Sequence, residues 1–263
     1  MKLKLTLIQY SPKWEDAPFN IDRVGEMLHY IESAKKGATD MIVLPEMWAT
    51  GFSMNVERIA AFAEDILSWM RQLAASTSAL VTGSVAVKED SRYCNRQYWV
   101  LPNGETGHYD KRHLFSMSDE TQFFHAGEQS CRFVWKGWNI RPVICYDLRF
   151  PAWCRNTKTQ PYDLLLCSAS WPAVRSDVWS SLLKARALEN QCFVVGVNRV
   201  GADGNGLQHL GESVIYGPKG ETIGKIAANE EAIASFELSL EDLQRFREKF
   251  PVLNDMDTFF FTS

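Results

Sequence analysis

Ile140-Arg141-Pro142-Val143-Ile144-Cys145-Tyr146-Asp147-Leu148-Arg149-Phe150-Pro151 is the stretch on which the fold of this chain turns. An apolar run of strand length ends on Cys145, and Pro151, suited to the first turn of a helix, follows closely. Strand, sharp turn and helix with a thiol at the turn make a nucleophile elbow. Backbone N–H groups after the cysteine can then face a developing oxyanion. A helix N-terminus close by is expected to favour thiolate over thiol. The plain alternative is a buried structural cysteine.

Outward from the elbow, strand-like and helix-like apolar periodicity alternate along the chain. Strands are expected at Lys2–Gln9, Asp40–Pro45, Ala79–Val87, Tyr93–Leu101, Trp138–Cys145, Asp163–Ser168, Cys192–Val197 and Ala232–Leu238. Ser213–Tyr216 and Thr222–Ile226 read as a hairpin, and Asn103-Gly104 is a second hairpin signal. Helices are expected at Asn20–Lys36 (with Ile21, Val24, Met27, Leu28 and Ile31 on one face and Gly37 as its stop), Ala61–Ser76, Ser176–Asn190 and Glu241–Lys249. Interleaved strands and helices mean an α/β protein with a mixed sheet and helices outside it. No linker, repeat or low-complexity stretch divides residues 1–263, which read as one domain.

The 263 residues are 46% hydrophobic and 23% charged, ordinary for a globular chain able to bury its own core. A formal net charge of −4 without a basic tract argues against nucleic acid or anionic lipid as partner. The short apolar run near the N-terminus reads as a strand rather than a signal peptide, and no segment approaches the roughly 20 apolar residues of a membrane span. A soluble, cytoplasmic protein is expected. The six cysteines form no Cys-x-x-Cys pair, and the five histidines show no metal-ligand spacing. Neither metal nor cofactor is expected.

Two further stretches share the elbow's placement after a strand. In Met41-Ile42-Val43-Leu44-Pro45-Glu46 a glutamate follows an apolar strand, at the sheet edge where ligand sites of α/β proteins collect. A loop-capping carboxylate is the other reading of Glu46. In Tyr109-Asp110-Lys111-Arg112-His113-Leu114-Phe115 a lysine stands among polar residues, and position alone does not separate it from a solvated side chain.

Together the ordered Leu-Pro-Glu, Lys-x-His-Leu-Phe and Cys-Tyr-Asp-x-Arg-Phe stretches resemble the nitrilase superfamily. Ala185–Gln191, Val197-Asn198-Arg199-Val200-Gly201 and Ser213-x-x-Tyr216-Gly217-Pro218-x-Gly220 extend the likeness over nearly the whole chain. The resemblance implies an αββα sandwich with mixed sheets and helices on the outside, and at least a homodimer. It implies Glu46 as general base, Lys111 as oxyanion partner and Cys145 as nucleophile, with Glu120 as a supporting carboxylate. His113 then belongs to the loop that positions Lys111. The Cys145–Phe150 form, Pro45–Ser53 and Ser168-Ala169-Ser170-Trp171-Pro172 look like the ω-amidase branch, which releases ammonia from ω-amides of 2-oxo dicarboxylic acids such as 2-oxoglutaramate. Family context places such enzymes after glutamine-dependent transamination, including in methionine salvage.

Such a substrate needs a cation for its carboxylate, and guanidinium suits the task. Arg149 and Arg175 are the candidates, Tyr146 supplies a backbone N–H, and Phe52 and Trp171 are candidate pocket walls. For Arg149 a pair with Asp147 or another carboxylate that only braces the elbow stays open. Another small-amide or carbamoyl hydrolase of the superfamily is the alternative activity. A non-catalytic relative and a Cys145–Cys154 thiol redox protein are the readings from other classes.

Overall fold

The computed structural model describes residues 1–29 and 35–259. Ile31, expected on the first helix, and Phe260 and Phe261 of the aromatic tail lie outside the described residues. The strands are β1 (Lys2–Gln9), β2 (Met41–Val43), β3 (Leu80–Glu89), β4 (Arg92–Val100), β5 (Thr106–Asp110), β6 (Phe133–Trp135) and β7 (Trp138–Ile144). They continue with β8 (Leu164–Ala169), β9 (Phe193–Asn198), β10 (Val200–Ala202), β11 (Gln208–Leu210), β12 (Val214–Tyr216), β13 (Thr222–Lys225) and β14 (Ala232–Ser239). The helices are α1 (Ala17–His29), α2 (Val56–Ala60), α3 (Ala63–Thr77), α4 (Glu120–Phe123), α5 (Pro151–Cys154), α6 (Ser176–Asn190) and α7 (Leu240–Lys249).

Two six-stranded mixed sheets carry the fold, ordered β14-β1-β2-β3-β4-β5 and β13-β12-β9-β8-β7-β6. Apolar periodicity cannot tell one sheet from two, because it reports burial and not which strands pair. Leu3, Leu5 and Leu7 of β1 meet Ile140, Leu164 and Val195 of the second sheet in a shared buried cluster. The outer face of the first sheet (Ile42, Val81) packs on Val24 of α1 and Ile66 and Met70 of α3. Val143, Leu165 and Val194 pack on Trp179 and Leu183 of α6. The layers therefore run helix, sheet, sheet, helix. Strands buried on both faces are near-continuously apolar, as Leu164–Ala169 is.

Most elements stand where the periodicity puts them, with α6 matching to the residue. The expected strand Asp40–Pro45 is regular only over Met41–Val43, because Pro45 has no N–H to continue a ladder. The first helix begins at Ala17, three residues before the expected Asn20. Short elements such as α2, β5, β6 and the β10–β11 ribbon carry too few residues for a periodic signal. Among the described residues no helix is long and apolar enough to cross a membrane.

Candidate active site

The carboxyl ends of β2 and β8 lie against each other between the sheets. Ser168 Oγ donates to Leu44 O at 2.8 Å, and Glu46 N donates to Ala169 O at 3.4 Å. Glu46 is thereby fixed just beyond β2 and is 1% exposed. Its Oε1 accepts from Asn95 Nδ2 at 2.8 Å and Lys111 Nζ at 2.9 Å, and its Oε2 accepts from Ser170 N at 2.9 Å. A carboxylate has about four lone-pair positions, so one acceptor position remains on Oε2.

Lys111 follows β5, where Lys111 N donates to Asn95 O at 2.9 Å and Gly127 N donates back to Lys111 O at 2.8 Å. Gly127 is required there: a Cβ at this position would stand 2.2 Å from Asp110 O. The ammonium bridges Glu46 and Glu120, whose Oε1 and Oε2 lie 2.9 and 3.0 Å from Nζ. Glu120 opens α4 and is also held by Phe115 N at 2.5 Å. The short loop from Lys111 therefore suffices to return Glu120 to the ammonium. Burial alone would pull the Lys111 pKa down, but Glu120 and Glu46 outweigh it and hold it above the ordinary lysine value. Burial pushes the Glu120 carboxyl up while Lys111 opposes it.

Cys145 sits at the sharp turn with φ 44°, a left-handed conformation that non-glycine residues rarely adopt. The chain then runs through a 3-10 turn, Cys145–Arg149, into α5, with Pro151 at its start. Asp147 braces this elbow. Its Oδ2 accepts from Ile144 N at 2.9 Å and Tyr109 OH at 2.8 Å, and its Oδ1 accepts from His113 N at 2.9 Å. His113 Nδ1 lies 2.8 Å from the same Oδ1, with its ring stacked on Phe150 at 3.7 Å between centroids. His113 thus ties the Lys111 loop to the elbow. The bracing pair left open for Arg149 is replaced by these partners, because Asp147 is fully buried and already surrounded by donors.

The expected thiolate is also corrected. Burial pushes the Cys145 thiol well up, Glu46 adds to the rise, and Lys111 opposes it. One ammonium already faces two carboxylates, and a third anion has no counter-charge. The Ser170 N–H pulls the other way, and less than Lys111 does. Cys154, the second thiol of the redox alternative, is fully buried, and its Sγ donates to Asp147 O at 3.4 Å.

Cys145, Glu46 and Lys111 line one cavity of about 520 Å³, and Phe52, Tyr146, Arg149, Trp171 and Arg175 line it as well. Glu120 stands behind Lys111, outside the lining. The Arg149 guanidinium lies 5.2 Å from the Trp171 ring centre and that of Arg175 lies 5.3 Å from Phe115. Among the described residues neither has an ion-pair partner, in contrast to Arg96, which Asp110 and Glu89 both hold. Sequence reasoning missed Asn95, which holds Glu46, and His209, quoted Ser170 only as part of a longer stretch, and missed the Asp203, Asn205 and Leu207 loop between β10 and β11 that closes another part of the wall. Single polar residues in strands and loops carry no pattern that could have singled them out.

The family model for carbon-nitrogen hydrolases matches residues 4–248. The chain is 44% identical over 257 residues to the omega-amidase YafV of Escherichia coli K12, covering 98% of each. It is 35% identical to the 2-oxoglutaramate amidase of Bacillus subtilis over 260 residues, covering 97% of this chain and 98% of the relative. The crystal structure of XC1258 from Xanthomonas campestris, a CN-hydrolase superfamily protein with an arsenic adduct in its active site, superposes with a TM-score of 0.95 at 37% identity over the whole of both chains.

Proposed function

The chain belongs to the carbon–nitrogen hydrolase family of the nitrilase superfamily, and on that premise we propose that it is an ω-amidase. It hydrolyses ω-amides of 2-oxo dicarboxylic acids, 2-oxoglutaramate first among them, to ammonia and the dicarboxylate. The observation that carries this reading is the combination in one cavity of Cys145, Glu46 and Lys111 with two arginines that form no ion pair among the described residues.

Cys145 Sγ attacks the amide carbon as Glu46 Oε2 takes the thiol proton through its open acceptor position. Because the resting thiol is neutral, this proton transfer accompanies attack. The oxyanion forms against the Lys111 ammonium and the Tyr146 N–H, both fixed before substrate arrives. Glu46 returns the proton to nitrogen, the carbon–nitrogen bond breaks, and ammonia leaves a thioester on Cys145. Water activated by Glu46 then cleaves the carbon–sulfur bond. Glu120 keeps Lys111 in place, since an ammonium between two carboxylates cannot swing away. Arg149 and Arg175 take the substrate's carboxylate, and Phe52 and Trp171 exclude water around it.

We also read residues 1–263 as one domain acting as a cytoplasmic homodimer, a reading that family membership supports. Exposed apolar side chains at Leu188 of α6 and at Phe250 and Val252 beyond α7 are consistent with a second copy.

Ammonia release from 2-oxoglutaramate, glutamine, asparagine and a plain aliphatic amide tests the activity, with wild type and Cys145→Ala compared. A strong preference for 2-oxoglutaramate that vanishes in the variant is expected. Cys145-dependent turnover of a carboxylate-free amide at equal rate would keep the chemistry and overturn the substrate, leaving another small-amide or carbamoyl hydrolase.

A further inference from the structure

Ser170 and His209 belong to the same cavity, and the mechanism above uses neither side chain. His209, on β11, is 2% exposed. Its Nδ1 lies 3.0 Å from Leu207 O and 3.3 Å from Gly201 O. Carbonyl oxygens only accept, so the ring proton belongs on Nδ1 and Nε2 is left as an acceptor. The opposite tautomer would set a nitrogen lone pair against two carbonyl lone pairs. Ser170 Oγ lies 3.3 Å from Nε2, and with Nε2 accepting, the serine hydroxyl must donate. Its proton is thereby committed away from the substrate, and its oxygen keeps only lone pairs to offer the cavity.

The position of Ser170 gives those lone pairs a use. Its backbone N–H donates to Glu46 Oε2 at 2.9 Å, and the residue lines the same cavity as Cys145, so it stands beside the base that takes the thiol proton. Its neighbours on both sides are anchored as well: Ala169 O accepts from Glu46 N, and Trp171 N donates to Asn198 Oδ1 at 2.7 Å. The backbone that carries the hydroxyl is thereby held beside Glu46, and the hydroxyl itself is held by His209.

We propose that Ser170, with its proton held by His209, is a specificity-determining residue that reads the leaving group by accepting a hydrogen bond from the amide N–H. An amide nitrogen brings N–H donors to this oxygen throughout attack and departure. An ester oxygen at the same place brings a lone pair and is repelled. Burial lowers the His209 pKa to about 4, so the imidazole stays neutral and accepting through the ordinary pH range. The role deepens the amidase reading above and rests on it.

The test compares kcat/KM, which reports the steps through thioester formation, for 2-oxoglutaramate and for the ω-methyl ester of 2-oxoglutarate. In Ser170→Ala the amide value falls about tenfold, the worth of one hydrogen bond, while the ester value holds or rises. His209→Leu frees the serine proton to turn into the cavity, so the amide-to-ester ratio falls in the same direction with the hydroxyl still present. His209→Gln, which can donate to the carbonyls and accept from serine, restores the ratio. Equal loss on both substrates in Ser170→Ala and His209→Leu, or an unchanged ratio in both, overturns the proposal. If Ser170→Ala does not fold, the two His209 variants decide alone. A wild-type enzyme idle on amide and ester alike overturns the substrate reading itself, whereas an active wild type with unmoved ratios overturns only the role of Ser170.

Discussion

Around Cys145 the polar side chains are already bonded: Lys111 to Glu46 and Glu120, Glu46 also to Asn95 and to the backbone N–H of Ser170, and Asp147 to Tyr109 and His113. Elsewhere on the same cavity wall Arg149 and Arg175 rest on aromatic rings and form no ion pair among the described residues. The first region is complete without substrate and the second is not. Pre-bonded groups suit charge that appears only in the transition state, since they need no reorganisation when it develops. Cations left unpaired suit charge already present on the substrate, since no internal partner has to be displaced. The contrast separates turnover from recognition, and each region can be broken independently.

The largest effect belongs to the nucleophile. Cys145→Ala should lower kcat by on the order of 10⁴-fold or more on every amide, and no acyl-enzyme should be seen by intact mass spectrometry. Lys111→Met should follow, losing about 10²–10³-fold in kcat as an oxyanion donor disappears. It also strands two buried carboxylates, so urea unfolding should show a loss of about 3–5 kcal/mol. A variant of full stability and unchanged kcat would show that the ammonium is neither oxyanion partner nor counter-charge.

A smaller effect tests the neutral state of His209. Its folded pKa is near 4 and its free value near 6.5. Between those values the unfolded chain binds a proton that the native ring refuses. Stability is therefore lost as pH falls from about 6.5 towards about 4, with a slope of at most about 1.4 kcal/mol per pH unit, and the loss levels off below. His209→Gln should flatten that part of the pH–stability curve relative to wild type. Identical curves would mean that the histidine titrates normally. At the mouth of the cavity, Met117 is 74% exposed, and Met117→Ser should move kcat/KM by less than about threefold and stability by less than about 0.5 kcal/mol.

How much of this was readable in the sequence follows the same division between pattern and partnership. The elbow showed itself because an apolar run ends on Cys145 and Pro151 follows, both local signals. Glu46 showed itself through Pro45 at the end of a buried strand. Lys111 had no such signature: its meaning depends on Glu46 and Glu120, distant or patternless in the chain, and only family resemblance pointed to it. Asn95, Ser170 and His209 acquire their roles by hydrogen bonds across the two sheets and the β10–β11 ribbon, which no periodicity encodes. The thiolate expectation failed for a related reason. A helix N-terminus is a local feature, whereas the burial that raises the Cys145 thiol, and the Glu46 carboxylate that adds to it, come from parts of the chain distant in sequence.

Kinetics of Arg149→Met and Arg175→Met on 2-oxoglutaramate and on a neutral aliphatic amide of matching length test the division most directly. At least one variant should lose about 10²-fold in kcat/KM on 2-oxoglutaramate, mainly through KM, and keep its value on the neutral amide within about threefold, the loss expected of a carboxylate–guanidinium contact. If both variants leave 2-oxoglutaramate turnover intact, or lower both substrates by one common factor, the unpaired arginines are not the recognition half of this site.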